Sequence, residues 1–237
     1  MCVVSDTIFL SQYPLMIRAI IFDMDGTLVQ YPEPPFYSSW DALGRVLGDD
    51  RWYKVRDKYL KRMEKEKCEE VYNAWFYEQV SLLKGLPVDK AISALLPPPY
   101  TEGVKEFCRS LPEDVVTGIL TTGLGLVADH ISEELGFNFY VANELEVKDG
   151  KFTGKGYVRL GLFDKLSVLM ALLQKYHIAP EETCFVGDNT NDLPIFDLVG
   201  LPVGFNPKSS AVTNKIKERN GVIIHHWYKL HEFILPK

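Results

Sequence analysis

Two rhythms of apolar residues alternate along this chain. The first is short and unbroken: Arg18-Ala-Ile-Ile-Phe22 is a β-branched and aromatic run ending at Asp23, which predicts a buried strand. Gln30-Tyr-Pro-Glu-Pro-Pro35 is too proline-rich to continue a strand or helix. From Phe36 to about Leu86 the rhythm becomes helical. Trp40, Leu43 and Leu47 share a face, and Tyr53, Tyr59, Val71, Trp75, Phe76 and Val80 add apolar contacts. A second proline cluster, Leu96 to Tyr100, closes this block. Helices bracketed by proline-rich links inside an α/β chain read as an inserted α-helical cap, residues 32–98, whose aromatics are expected to form its own core.

Beyond the cap the short and helical rhythms alternate. Val115–Leu120 predicts a strand ending at Thr121. Leu124, Val127, Ala128, Ile131 and Leu135 form a helical stripe that Gly136 can close as a C-cap. Phe139–Ala142 is a further strand, and Asp149-Gly150 marks a small β-hairpin insertion within about 143–157. Asp164 is placed to cap a helix carrying Leu166, Leu169, Met170 and Leu173 on one face. Thr183–Val186, Leu201–Phe205 and Val222–His225 complete the strands. Such repetition predicts an α/β, Rossmann-like core, a parallel sheet with helices on both faces, built from residues 1–31 and 99–237. Residues 1–15 have no clear period and read as a disordered extension, or as sequence before a later start at Met16.

Composition narrows the function. A hydrophobic share of 46% with 24% charged residues is that of an ordinary globular protein, and a net charge of -6 gives no electrostatic case for nucleic acid or an anionic membrane. The run Lys61–Lys67 is interrupted by Glu64 and Glu66 and reads as a solvated helix face. Cys2, Cys68, Cys108 and Cys184 are too scattered for a zinc or redox motif and fit reduced thiols of a cytoplasmic protein. Neither a membrane-spanning stretch nor a secretory leader is legible.

The candidate chemistry lies where strands end. Asp23 and Asp25, one residue apart, point the same way at a strand's carboxyl end, the edge where open α/β sheets bind ligands. Such a pair can hold a hard divalent cation or divide nucleophile and acid/base roles; the bland reading is a turn with helix-capping residues. Thr121 offers a hydroxyl at a second strand end, next to helix-start N–H groups that can bind an anion. Lys165 opens a helix, where its charge opposes the dipole unless an anion is near. Gly187-Asp-Asn-Thr-Asn-Asp192 follows a third strand, with Asp192 one turn after Asp188. Carboxylates gathered there would repel one another without a cation, and magnesium answers that objection.

Taken in order, DxDGT, a strand-end threonine, a lysine and GDxxND resemble the haloacid-dehalogenase-like hydrolase superfamily from about Ile17 onward. Within it the chain is most similar to phosphoserine phosphatases, through VSLLKGLP (80–87), ADHISEELGF (128–137), ANELEVKDGKFTG (142–154) and VGDNTND (186–192). The resemblance implies a Mg²⁺-dependent phosphatase acting on a small phosphorylated metabolite through an aspartyl-phosphate. Asp23 is then the nucleophile and Asp25 the acid and base. Mg²⁺ is held by Asp23, the Asp25 carbonyl and Asp188, with Asp192 in support. Thr121, Thr122, Lys165 and Asn191 bind the phosphoryl oxygens. The cap departs from the pattern: the family's substrate-binding arginine aligns with Gln79, and its glutamate falls on Pro32, with Glu33 one residue later. Arg56 and Arg62 are the other cap cations that could serve. An altered or loosely selected substrate is therefore expected. The alternatives are a phosphotransferase or sugar-phosphate mutase using the same intermediate, and a non-catalytic binder of the same fold.

Overall fold

The computed structural model describes residues 16–234. The expected N-terminal extension, the reading of its leader, and Cys2 lie outside these residues. The elements run β1 (Ala19–Phe22), then four helices, α1 (Ser39–Leu47), α2 (Asp50–Glu66), α3 (Glu69–Ser81) and α4 (Val88–Leu95). Next come α5 (Val104–Arg109), β2 (Val116–Leu124), α6 (Gly125–Leu135), and the hairpin of β3 (Phe139–Lys148) and β4 (Lys151–Tyr157). The chain continues through α7 (Lys165–Tyr176), β5 (Thr183–Gly187), α8 (Leu193–Phe196), β6 (Leu201–Phe205), α9 (Ser210–Glu218), β7 (Val222–Ile224) and α10 (His231–Ile234).

Among the described residues the strands form one seven-stranded sheet in the order β4-β3-β2-β1-β5-β6-β7, parallel except for β4. β1 lies at its centre. Ile20 and Phe22 pack into one core with Phe107, Val127, Ile131 and Trp227, while Ala19 and Ile21 pack into another with Leu169, Phe196, Val212 and Ile216. Burial on both faces explains why β1 is apolar throughout rather than alternating. The expected doubly covered parallel sheet is present.

Three local expectations are corrected. β2 does not stop before Thr121 but runs to Leu124, its register with β3 breaking between Leu120 and Leu124. Likewise the 139–142 strand and the hairpin's first arm are one strand, so the hairpin extends the sheet's edge. Its turn is as the dipeptide suggested, with Asp149 at φ 50° and Gly150 at φ 70°. Asp164 makes no side-chain cap to α7, because its backbone is already helical at φ -97°, ψ -3°; Met170 faces solvent, while Leu169 and Leu173 are buried.

The inserted helices are anchored unequally. α1 and α4 bury Ala42, Leu43, Ala91 and Leu95 in the main core, whereas α2 and α3 enclose a small core of their own from Val55, Tyr59, Met63, Val71 and Tyr72. Ser38 caps α1 through Asp41, whose carboxylate accepts from the Ser38 hydroxyl at 2.7 Å. The charge run lies on the exposed side of α2, where Arg62 pairs with Glu66. Cys68, Cys108 and Cys184 are free thiols, and burial pushes Cys108 up to about 12. Among the described residues no helix is long and apolar enough to cross a membrane.

Candidate active site

Parallel strands deliver their carboxyl ends to one edge of the sheet, and the central three carry the polar residues there. Asp23 and Asp25 follow β1, Thr121 and Thr122 lie near the carboxyl end of β2, and Asp188 follows β5. Lys165, at the first position of α7, is 1% exposed. Its ammonium donates to Asp23 Oδ1 and to Asp192 Oδ1, both at 2.7 Å. That pairing resolves the helix-dipole conflict noted in the sequence. Burial alone would lower the lysine's pKa, but Asp192 and Asp23 outweigh it and hold the ammonium above its usual range.

Asp25 is anchored by α1. Its Oδ1 accepts from the Ser39 N–H and its Oδ2 from the Ser39 hydroxyl, each at 2.8 Å. Burial, with the charge of Asp23 added, pushes its carboxyl up to about 7 against the opposing Ser39 hydrogen bonds. Burial likewise raises Asp188 and Asp192, in both cases reinforced by Asp23. Gly26 permits this crowding: at φ +87° it has no Cβ, and one built there would collide with Asp188 Oδ2.

Carboxylate oxygens of Asp23, Asp188 and Asp192 lie within 4.8 Å of one another, all three residues buried. Neither Asp188 oxygen has a regular hydrogen bond, and the nearest cation is Lys208 Nζ, 2.6 Å from Oδ2. Buried, oxygen-only and short of donors, this cluster fits a hard divalent cation.

Above the acidic floor is a cavity of about 200 Å³. Thr121, Thr122 and Asn191 line it, as do Asp23, Asp25 and Asp188; Lys165 and Asp192 lie behind that lining. The Thr121 hydroxyl accepts from Gly123 N–H at 3.0 Å, and Asn191 Oδ1 is buried without a partner. Across the cavity the Thr122 carbonyl accepts from Trp40 Nε1 at 3.1 Å, Asn143 Nδ2 at 3.1 Å and Tyr72 OH at 3.4 Å, joining α1 and α3 to β2.

A family model described as haloacid dehalogenase-like hydrolase matches residues 20–197. The chain belongs to the haloacid dehalogenase-like hydrolases. Its similarity to phosphoserine phosphatases is broad. A phosphoserine phosphatase of Methanocaldococcus jannaschii is 33% identical over 199 residues, covering 81% of this chain and 86% of that protein. Another, from Archaeoglobus fulgidus, is 33% identical over 195 residues, again 81% of this chain but 53% of that one, so the chain spans about half of this longer relative. A solved structure described as a phospho-aspartyl intermediate analogue of phosphoserine phosphatase has 29% identity and a TM-score of 0.71, covering 92% of this chain and 99% of its own. The family and fold expected from the motifs are thus the ones found.

For this hydrolase the sequence-derived cap residues part company. Gln79 lines the cavity, buried, with Nε2 donating to the Trp52 carbonyl at 3.1 Å. Glu33 is not in the cavity lining; its Oε1 lies 2.8 Å from Arg45 Nε. Arg56 lines the cavity, whereas Arg62 is on the surface. The cap aromatics are also more than a core: Trp40, Trp52, Tyr72 and Trp75 line the cavity, while Tyr59 and Phe76 are buried as expected. Two site residues escaped the sequence reading. Lys208 follows the end of β6, a strand-end position that could have flagged it, and Ser39 was visible only as a helix-start serine.

Proposed function

We propose that this phosphoric monoester hydrolase is a Mg²⁺-dependent phosphatase that releases a small alcohol through a phosphorylated Asp23. The arrangement of Asp23, Asp25 and Lys165 carries this reading: a carboxylate held by a buried ammonium, beside a second carboxyl fixed at the mouth of the same cavity. Asp23 attacks phosphorus in line and forms the acyl phosphate as the P–O bond to the alcohol breaks. Asp25 gives its proton to the departing alkoxide, then takes one from the water that cleaves the acyl phosphate. A carboxyl raised to about 7 by burial suits both halves of that exchange near neutral pH. Lys165 keeps Asp23 in place, and Thr121, Thr122 and Asn191 are the polar groups facing the phosphoryl oxygens. Asp23, Asp188 and the Asp25 carbonyl, with Asp192 in support, would hold Mg²⁺. The ion supplies positive charge against the phosphoryl group and relieves the carboxylates' mutual repulsion.

Phosphate release from p-nitrophenyl phosphate tests the activity. Release in Mg²⁺ that stops in EDTA is expected; equal release in both contradicts the metal's role. Phosphoryl transfer only after an alcohol acceptor is added would favour a phosphotransferase instead.

Metal binding is also expected to be written into stability. Asp25, Asp188 and Asp192 have folded pKa values raised above the unfolded value of about 3.9. Through these three groups the metal-free fold binds more protons than the unfolded chain and loses stability as pH climbs from about 4 to about 7. A cation replaces the protons of Asp188 and Asp192. The gap in Tm between saturating Mg²⁺ and EDTA should widen over that interval, and a gap independent of pH contradicts the assigned cluster.

We further propose residues 32–98 as the cap and residues 1–31 with 99–237 as the core, with α2 and α3 as the moving part, since they enclose a small core of their own and α2 reaches the main core through Trp52. An engineered disulfide tying α2 to the core should slow turnover; unchanged turnover contradicts a moving cap. Three free thiols suit a reducing compartment, and we place the enzyme in the cytoplasm; a protein recovered with its cysteines paired contradicts that.

A further inference from the structure

The cavity has a polar floor and an apolar roof. Its roof presents Trp40, Trp52, Tyr72 and Trp75, with Leu60 and Met63 of α2. The rings brace one another: Trp40 and Trp75 meet edge to face with centroids 5.2 Å apart, while Tyr72 with Trp75 at 5.3 Å and Trp40 with Trp52 at 6.2 Å are tilted pairs. Trp40, Trp75 and Leu60 are only half-buried although Trp40 is hydrogen-bonded to the Thr122 carbonyl of β2. Their remaining apolar surface borders the cavity.

Charge on the roof is spent internally. The Arg56 guanidinium lies 2.9 Å from Asp57 and 3.4 Å from Asp41. Asp41 in turn accepts from the Ser38 hydroxyl and from the Phe36 and Ser38 N–H groups. Gln79 gives its amide N–H to Trp52, while its Oε1 is buried without a partner. Among the described residues of the roof, no unshared cation remains for a substrate carboxylate and no unshared carboxylate for an ammonium. Lys208, also in the lining, is paired with Asp188 on the floor, so an amino-acid phosphate would find a single neutral acceptor, Gln79 Oε1, among the indole rings, an unfavourable burial of its charges. A flat apolar group gains there by leaving water and by stacking.

We propose that the alcohol released by this enzyme carries an aromatic or similarly flat apolar group, seated against Trp75 and Trp40. The proposal rests on the phosphatase reading and names its substrate class; it departs from the substrate in the relatives' names. Size agrees. Apolar cavities of roughly 150 Å³ take up one benzene ring, and about 200 Å³ is available here for the phosphoryl end and such a group. The reaction is hydrolysis: the P–O bond to the ring-bearing alcohol breaks, water supplies oxygen to phosphorus, and the alcohol leaves with a proton.

The test compares 2-phenylethyl phosphate with L-phosphoserine as substrates of the purified full chain in Mg²⁺, and the matching non-hydrolysable phosphonates as ligands by calorimetry. The expected kcat/KM favours the phenylethyl ester by about tenfold or more, mainly through KM, and its phosphonate binds more tightly by a similar factor. Trp75→Ala should collapse that preference about tenfold, and Trp75→Phe should keep most of it. Phosphoserine turned over as well as the phenylethyl ester, with a ratio indifferent to Trp75→Ala, overturns the substrate class and leaves the phosphatase standing. If neither ester releases phosphate, the phosphatase reading fails, and the two phosphonates decide the cavity's preference by binding alone. Equal phosphonate binding then overturns the proposal as well.

Discussion

Asp23→Asn is expected to lower phosphate release by at least about 10³-fold. The carboxamide has the shape of the carboxylate but not its nucleophilic oxygen, so the acyl phosphate cannot form. The fold should survive, because Lys165 keeps its 2.7 Å contact with Asp192 and the acidic cluster loses one of its charges. Asp23 is also one of the proposed metal ligands, so weaker Mg²⁺ binding is expected alongside. Turnover within tenfold of the parent at saturating Mg²⁺ contradicts the assignment.

Lys165→Met should be the most damaging change to stability. The ammonium is 1% exposed and sits between two buried carboxylates, and the replacement keeps the volume of its stem while removing its charge. Asp23 and Asp192 would then share a buried site with Asp188 and no buried cation. Breaking a buried ion pair this way costs about 3–5 kcal/mol. Urea unfolding in EDTA measures it directly, and a loss below about 1 kcal/mol contradicts the geometry. Saturating Mg²⁺ should recover part of the loss by answering the same repulsion. Turnover should stay low even then, since Asp23 has lost the group that orients it.

The sequence was most legible where one residue type had one physical explanation. The apolar run closing on Asp23 read as a buried strand, and Asp149-Gly150 marked the turn between β3 and β4 through positive φ. Parallel topology then carried Asp23, Asp25, Thr121 and Asp188 to one edge, which is why distant residues could be read as one site. Periodicity told which side of a helix is apolar but not what that side faces. Trp40 and Trp75 fit the helical stripe of a core and instead border a cavity. Side-chain direction in irregular segments was also hidden. Glu33 turns to Arg45 because a salt bridge is available there, and Lys208 reaches Asp188 from a loop with no period. Asp164 looked like a cap by position, but capping needs an extended backbone that it lacks. The short helix α5, at Val104–Arg109, offers too few turns for a periodic signal.

The covalent step can be caught directly. The full chain is mixed with an excess of p-nitrophenyl phosphate and Mg²⁺, quenched in acid within the first turnovers, digested and analysed by mass spectrometry. The expected result is one phosphoryl group on the peptide containing Asp23, absent from Asp23→Asn and removed by mild base. Rapid turnover with no phosphorylated peptide, or with the group on another residue, contradicts the mechanism built on Asp23.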